Sequence, residues 1–324
     1  MLHLFSKRKR LYPHSDHCDG EKFSNTHVKE RYPLSRFIKW RIIRKPHKWP
    51  KWVQNRHPYQ PPNLKENEVA ISFIYHASFL IQTMNLNILI DPIYSKRASP
   101  VSFLGPKRIR LPGVPYSTLP PIHLVLLSHN HYDHLDIPTL NLLKKTHNPL
   151  FITGLGNKKF LKSEGLLKTL ELDWWEKHKD SEINITSVPA QHFSSRTPFD
   201  RNHTLWSGFV IEIQNKKIYH AGDTGYSPHF KEIYKKLGAP DVSLLPIGCY
   251  QPRWFMKMMH TNPEEAVQAH MDLHSKLSIP MHYGTFPLSD EPLHQPLNDL
   301  EIAIKKHRIS NVKVLEIGET IIIP

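Results

Sequence analysis

The segment His129-Asn-His-Tyr-Asp-His134 constrains this chain more than any other. It puts three imidazoles and a carboxylate into six residues, directly behind the apolar run Leu124-Val-Leu-Leu127. A short, continuous apolar run reads as a strand buried on both faces. Ligand-type side chains at the end of such a strand are held rigidly at a sheet edge, where an ion is bound and one side stays open. Imidazole nitrogen and carboxylate oxygen suit zinc and similar divalent ions. His129 and His131 share one face, while Asp133 and His134 lie past the bend and reach toward a second ion. With 23 histidines in the chain, a chance His-rich turn is the bland alternative, but the order H-x-H-x-D-H at a strand end argues against it.

Four donors do not close a two-metal site, and three more occur in similar settings. The strand-like Ile183-Asn-Ile-Thr-Ser-Val-Pro-Ala190 is followed by Gln191-His192. Lys217-Ile-Tyr-His220 leads to Asp223 in the turn Ala-Gly-Asp-Thr-Gly, and Leu277-Ser-Ile-Pro-Met281 ends at His282. Each donor ends an apolar strand and begins a loop, where α/β proteins place their chemistry.

The order HxHxDH, then His, then Asp, then His resembles that of the metallo-β-lactamase-fold hydrolases. Narrower blocks resemble one branch of them, the phospholipases D that hydrolyse N-acyl-phosphatidylethanolamine, with their bacterial relatives. These blocks are Ile90-Asp-Pro-Ile-Tyr-Ser-Lys-Arg-Ala-Ser-Pro100, Leu104-Gly-Pro-Lys-Arg108 and Ser128-His-Asn-His-Tyr-Asp-His-Leu-Asp136. Glu171-Leu-Asp-Trp-Trp-Glu176, Ala221-Gly-Asp-Thr-Gly-Tyr226, Pro246-Ile-Gly248, Pro252-Arg-Trp-Phe-Met-Lys257 and Asn262-Pro-Glu-Glu-Ala266 complete the set, which spans residues 65 to 320. Two departures stand out. Tyr75 takes the place of a glycine before His76, and the Trp-Gly-rich strand of the family reads Trp206-Ser-Gly-Phe209. Neither falls on an expected ligand.

The resemblance implies two Zn²⁺ ions, one on His129, His131 and His192, the other on Asp133, His134 and His282, with Asp223 bridging. Two ions ~3.5–4 Å apart share a hydroxide available near neutral pH, because bound water has its pKa lowered to ~7. The implied reaction is hydrolysis of N-acyl-phosphatidylethanolamine-like lipids to phosphatidic acid and N-acylethanolamine. No Gly-x-Ser-x-Gly elbow offers a serine nucleophile instead. Asp91 is expected to hydrogen-bond a ligating imidazole from behind; an Asp-Pro turn is the other reading. His260 resembles a histidine the phospholipases require, and would orient the phosphate or protonate the leaving oxygen; a plain surface histidine reads the same. Tyr132 is expected to face the substrate. Arg253 and Trp254, beside Phe255 and Met256, suit a phosphate next to acyl chains, as would a packed loop.

The formal charge of +14 is uneven: residues 1–64 hold 15 Lys and Arg against 4 Asp and Glu. That arm also carries Phe37, Trp40, Ile42, Ile43, Trp49, Trp52 and Val53, a mixture suited to an anionic lipid surface. A basic tail packed on the rest of the protein is the competing reading, and nucleic acid, the third, is disfavoured. Pro46 and Pro50 break the arm into short helical pieces and extended stretches. Met1–Arg10 is basic with no apolar run behind it, which does not read as a secretory signal. No apolar run approaches the ~20 residues a spanning helix needs, so membrane contact is expected to be peripheral. Two cysteines, Cys18 and Cys249, are too few for a disulfide framework and fit a reducing, cytoplasmic setting. Self-association stays open. So do a metal-dependent phosphosugar lactonase or nuclease of the same fold, and a non-catalytic membrane-surface binding protein.

Early strand-like runs pair as hairpins (70–75, 78–82, 87–91) and later ones alternate with helical patterns near 137–146, 156–163, 228–237, 263–275 and 298–308. A strand is also predicted at 313–316, and Asn262-Pro-Glu-Glu reads as a helix start. The expected fold is α/β: an αβ/βα four-layer sandwich of two mixed sheets with helices outside. The arm (1–64) joins this hydrolase domain (65–324) through the Pro-rich Tyr59-Gln-Pro-Pro-Asn63.

Overall fold

The computed structural model describes residues 11–28 and 34–324; the basic start at Met1–Arg10 lies outside them. Two mixed sheets face each other across one continuous apolar core. The first runs in the order β13 (Thr320–Ile323), β1 (Val69–Tyr75), β2 (Ser78–Gln82), β3 (Asn87–Ile90), β4 (Leu124–Leu127), β5 (Leu150–Gly154), β6 (Thr169–Leu172). Its hairpin half is antiparallel and its β3–β6 half parallel. The second runs β12 (Leu277–Met281), β11 (Val242–Pro246), β10 (Lys216–His220), β9 (Gly208–Ile213), β8 (Ile183–Val188), β7 (Lys177–Lys179). Here β10–β12 are parallel and the rest antiparallel.

The reason lies in the side chains. β4 is Leu-Val-Leu-Leu and buried throughout, as an interior strand covered on both faces permits. Helices α2 (Ile137–Thr146) and α3 (Asn157–Ser163) flank the first sheet; α4 (His229–Leu237), α6 (Pro263–Asp272) and α7 (Gln295–His307) flank the second. α6 begins where its sequence says. Asn262 accepts from the Glu265 N–H at 2.8 Å, Glu265 accepts from the Asn262 N–H at 3.1 Å, and Pro263 occupies the first turn.

Some elements differ from the sequence reading. β6 and β7 were not expected; they are the edge strands between which Asp173-Trp-Trp-Glu176 carries the chain from one sheet to the other. Lys-His-Lys in β7 is exposed enough to show no apolar pattern. Residues 313–316 form no strand, because the ladder stops at a single bridge between Ser278 and Val312. Pro252-Arg-Trp-Phe-Met, where no helix was expected, contains the short helix α5 (Arg253–Met256).

The basic arm lies against the sandwich. α1 (Leu34–Ile43) stacks Trp40 on Phe255 with centroids 4.9 Å apart. Trp49 Nε1 donates to the Glu291 carbonyl at 3.0 Å, and Val53 N–H to Ile109 at 2.7 Å. Phe37, Ile38, Ile42, Ile43 and Trp52 remain exposed. Among the described residues, no helix is long and apolar enough to cross a membrane.

Candidate metal centre

Every expected ligand follows the C-terminal end of a strand: the His129–His134 loop after β4, His192 after β8, Asp223 after β10 and His282 after β12. The two sheets present these ends at one edge of the sandwich, so donors far apart in the chain converge. Close approach there demands small or strained residues. Gly222, just before Asp223, has φ +61°, and a Cβ on it would stand 2.8 Å from the Ser207 carbonyl oxygen. His76, Asp91 and His282 also adopt left-handed backbone, at φ 53°, 42° and 62°. Such conformations cost on the order of 1–3 kcal/mol each and cluster at functional sites.

The donors fall into two groups, each with its ligand atoms within 4.8 Å of one another: His129, His131, His192 and Asp223; and His76, Asp133, His134 and His282. In the first, His131 Nδ1 lies 2.8 Å from His129 Nε2 and 3.2 Å from His192 Nε2. In the second, Asp133 Oδ2 lies 2.9 Å from His76 Nε2, 3.3 Å from His282 Nε2 and 3.4 Å from His134 Nε2. Asp223 touches both. Its Oδ2 is 3.3 Å from His134 Nε2 and 3.8 Å from His192 Nε2, and its Oδ1 is 3.1 Å from His282 Nε2.

Three of these buried atoms, His134 Nε2, His282 Nε2 and Asp223 Oδ1, approach one another without forming an aligned hydrogen bond. Buried polar atoms without partners are costly, and a cation is what this donor set satisfies. Charge points the same way. Burial holds His131 down to about 4, His192 down to about 3, and His129 well below the ordinary imidazole range, so these three stay neutral and ready to ligate. Burial opposes charge on His134 and His282 as well. The Asp223 and Asp133 carboxylates outweigh it, raising His134 well above 6.5 and His282 to about 9. Divalent ions on those nitrogens meet the carboxylates' demand for positive charge in place of protons.

The surrounding side chains fix the ligands. Asp91, fully buried, accepts from Ser128 N–H at 2.8 Å, Ser128 Oγ at 2.6 Å and His134 Nδ1 at 2.7 Å. A carboxylate only accepts, so His134 holds its proton on Nδ1 and turns Nε2 to the cluster. His192 Nδ1 donates to the Met259 carbonyl at 2.9 Å, with the same consequence. His260 is buried, 3.9 Å from Asp223 Oδ2 through Nδ1, with its ring 5.2 Å from that of His192. Tyr132 donates to the Arg196 carbonyl and lies under the Arg196 guanidinium at 4.1 Å.

One expectation needs correction. Arg253 does not hold out its charge for a phosphate: its guanidinium donates to both Glu265 oxygens, at 2.8 and 2.7 Å, and to the His260 carbonyl at 2.9 Å. It braces the segment that carries His260. Its neighbour Trp254 is part-exposed, with Lys39 over its ring at 5.6 Å. Two residues of the centre were not singled out in the sequence. His76, noted only for what precedes it, holds Asp133 through Nε2, and its carbonyl accepts from His282 N–H at 2.7 Å. Arg196 donates to the carbonyls of Asn130 and Leu135, both at 2.8 Å, and so clamps the ends of the ligand loop.

The model of the beta-lactamase superfamily domain matches residues 86–283, from β3 to just past His282. The chain belongs to the beta-lactamase superfamily. Within it, the chain is 37% identical over 234 residues to N-acyl-phosphatidylethanolamine-hydrolyzing phospholipase D 1 of Caenorhabditis elegans, covering 69% of this chain and 66% of that protein. It is 32% identical over 219 residues to a metal-dependent hydrolase of Caldivirga maquilingensis, covering 67% of this chain and 83% of that one. The solved metallo hydrolase of Ignicoccus hospitalis has the same fold, with a TM-score of 0.60 at 24% identity over 79% of this chain and 99% of that one.

This superfamily member carries a cavity of about 880 Å³ beside its ligand loop, and none of the expected ligands lines it. Asn130 and Tyr132 of that loop form part of its wall. Leu135, Ile137 and Phe160 supply apolar surface, and the positive charge of Lys96, Arg97, Lys159 and Arg196 is largely offset by Asp136, Glu164 and Asp200.

Proposed function

We propose that this metal-dependent hydrolase of metallo-β-lactamase fold is a phosphodiesterase of the phospholipase D type. It would hydrolyse N-acyl-phosphatidylethanolamine-like lipids to phosphatidic acid and N-acylethanolamine, with two Zn²⁺ ions as cofactors. The observation that carries the lipid reading is the 37% identity over 234 residues to the C. elegans phospholipase.

In this reading His129, His131 and His192 would hold one metal and Asp133, His134 and His282 the other, and Asp223 would be available to both. When bound, the metals supply positive charge at the phosphoryl oxygens and lower the pKa of water. Asp91 and His76 keep His134 and Asp133 in ligating orientation. His260, held neutral by burial, presents an N–H to the phosphate. Water's oxygen forms the new bond to phosphorus, the bond from phosphorus to the N-acylethanolamine oxygen breaks, and the proton released by water ends on that oxygen. Tyr132, between His131 and Asp133 in the ligand loop, would face the substrate.

Exposed Phe37, Ile38, Ile42 and Ile43 on α1, interspersed with Lys39 and Arg41, support peripheral contact with an anionic membrane.

Purified protein assayed on N-acyl-phosphatidylethanolamine in vesicles, on RNA and DNA, and on a phosphosugar lactone, each with and without chelator, tests the whole reading. Chelator-sensitive lipid hydrolysis is expected. Turnover that survives chelation refutes the metal centre, and chelator-sensitive turnover of nucleic acid or lactone alone refutes the lipid assignment.

A further inference from the structure

The superfamily match starts at residue 86, yet a segment far upstream reaches the metal centre. Asn25 clasps the backbone of His192 on both sides: its Nδ2 donates to the His192 carbonyl at 2.9 Å, and its Oδ1 accepts from the His192 N–H at 3.1 Å. The same Oδ1 accepts from Trp206 Nε1 at 3.2 Å, which fixes which way the amide points.

Residues 11–28 are anchored to make that contact. Phe23 and Cys18 are buried against Trp174, Leu205 and Trp206, and Phe23 N–H donates to the Asn202 carbonyl at 2.8 Å. His17 bonds Asp173 at 2.8 Å and stacks on Trp174 with centroids 4.4 Å apart. On the far side of Asn25, His27 pairs with Glu232 of α4 at 3.1 Å. The segment therefore straddles the end of β8. His192 has its N–H and C=O taken by Asn25 and its Nδ1 by Met259, which leaves Nε2 as the nitrogen facing His131 and Asp223.

We propose that Asn25 is a positioning residue for His192, and that residues 11–28 are thereby a working part of the metal centre. This rests on the reading of His192 as a ligand. A loop residue after β8 has no ladder to hold its backbone, and two hydrogen bonds to one amide side chain replace that ladder. Partners behind a ligand typically contribute 10–100-fold in metal affinity.

The test is stepwise zinc dissociation from the full chain by chelator competition, with the visible absorption of the cobalt-loaded protein as a second readout. Wild type, Asn25→Ala, Asn25→Asp and His192→Ala are compared. Asn25→Ala is expected to weaken one metal equivalent about 10–100-fold, leave the other unchanged and alter the cobalt spectrum. Asn25→Asp keeps the acceptor but sets an oxygen against the His192 carbonyl, and is expected to shift the same equivalent. It also supplies the measurement if the alanine variant does not fold. Wild-type binding of both equivalents in either folded variant overturns the proposal when His192→Ala has lost one. If His192→Ala itself keeps both equivalents, the ligand assignment fails, and the role of Asn25 falls with it.

Discussion

Replacing Asp91 by asparagine is expected to cripple one metal position while leaving the fold intact. The carboxylate takes three hydrogen bonds, at 2.6–2.8 Å, from donors that all point inward. Asparagine keeps one acceptor oxygen. With that oxygen toward the Ser128 N–H, the amide NH₂ faces Ser128 Oγ and His134 Nδ1. The hydroxyl can rotate and accept. The imidazole can accept only by moving its proton to Nε2, the nitrogen that lies 3.3 Å from Asp223 and 3.4 Å from Asp133. Keeping the ligating tautomer instead sets two donors against each other in a fully buried place, at about 1–3 kcal/mol. At about 1.4 kcal/mol per factor of ten, this is roughly 5–150-fold in affinity for the metal on His134. Chelator titration of Asp91→Asn against wild type, with turnover measured in parallel, reads it directly. Two equivalents bound with wild-type affinity would refute the argument that Asp91 sets the His134 tautomer.

Three further outcomes are expected. Gly248→Ala should cost roughly 100-fold in turnover, because the new Cβ stands 2.1 Å from the His282 carbonyl oxygen and must displace that ligand's backbone; native turnover and metal content in the purified variant would contradict this. Arg253→Lys should behave like Arg253→Met, each lowering kcat about tenfold through His260, because a point charge does not reproduce the planar fork that reaches Glu265 through Nη2 and the His260 carbonyl through Nη1 at once; a KM rise in the Met variant that Lys reverses would instead put the cation on the substrate. His17 is raised above 6.5, burial being outweighed by hydrogen bonds to Asp173 and Asp16. Its stabilisation is therefore complete below about pH 6 and lost as pH rises through the folded value, by at most about 1.4 kcal/mol per pH unit. The Tm difference between wild type and His17→Gln should shrink across that window, and a difference that grows with pH would reverse the sign assigned here.

Apolar strands ending in donors were legible from local pattern alone: β4 before His129, β8 before His192, β10 before Asp223, β12 before His282. So was the start of α6, whose cap, proline and acidic turn are a local code. Two mixed sheets followed from the alternation of hairpins and helices. Short-range physics writes these features into neighbouring residues, which is why a linear reading finds them. β6, β7 and α5 left no such trace, since an edge strand of Lys-His-Lys and a four-residue helix owe their form to what they pack against.

What only the tertiary structure decided is which groups stand behind the donors. The sequence by itself determined a chain of buried strands with metal-type side chains at their ends, because strand burial and ligand chemistry are properties of adjacent residues. It did not determine that Arg253 answers to Glu265, that His76 grips Asp133, that Arg196 clamps the ligand loop, or that Asn25 holds His192 from 167 positions away. Each of those contacts joins polar groups whose partner is chosen by packing, and one hydrogen bond between distant residues leaves no period, spacing or composition along the chain.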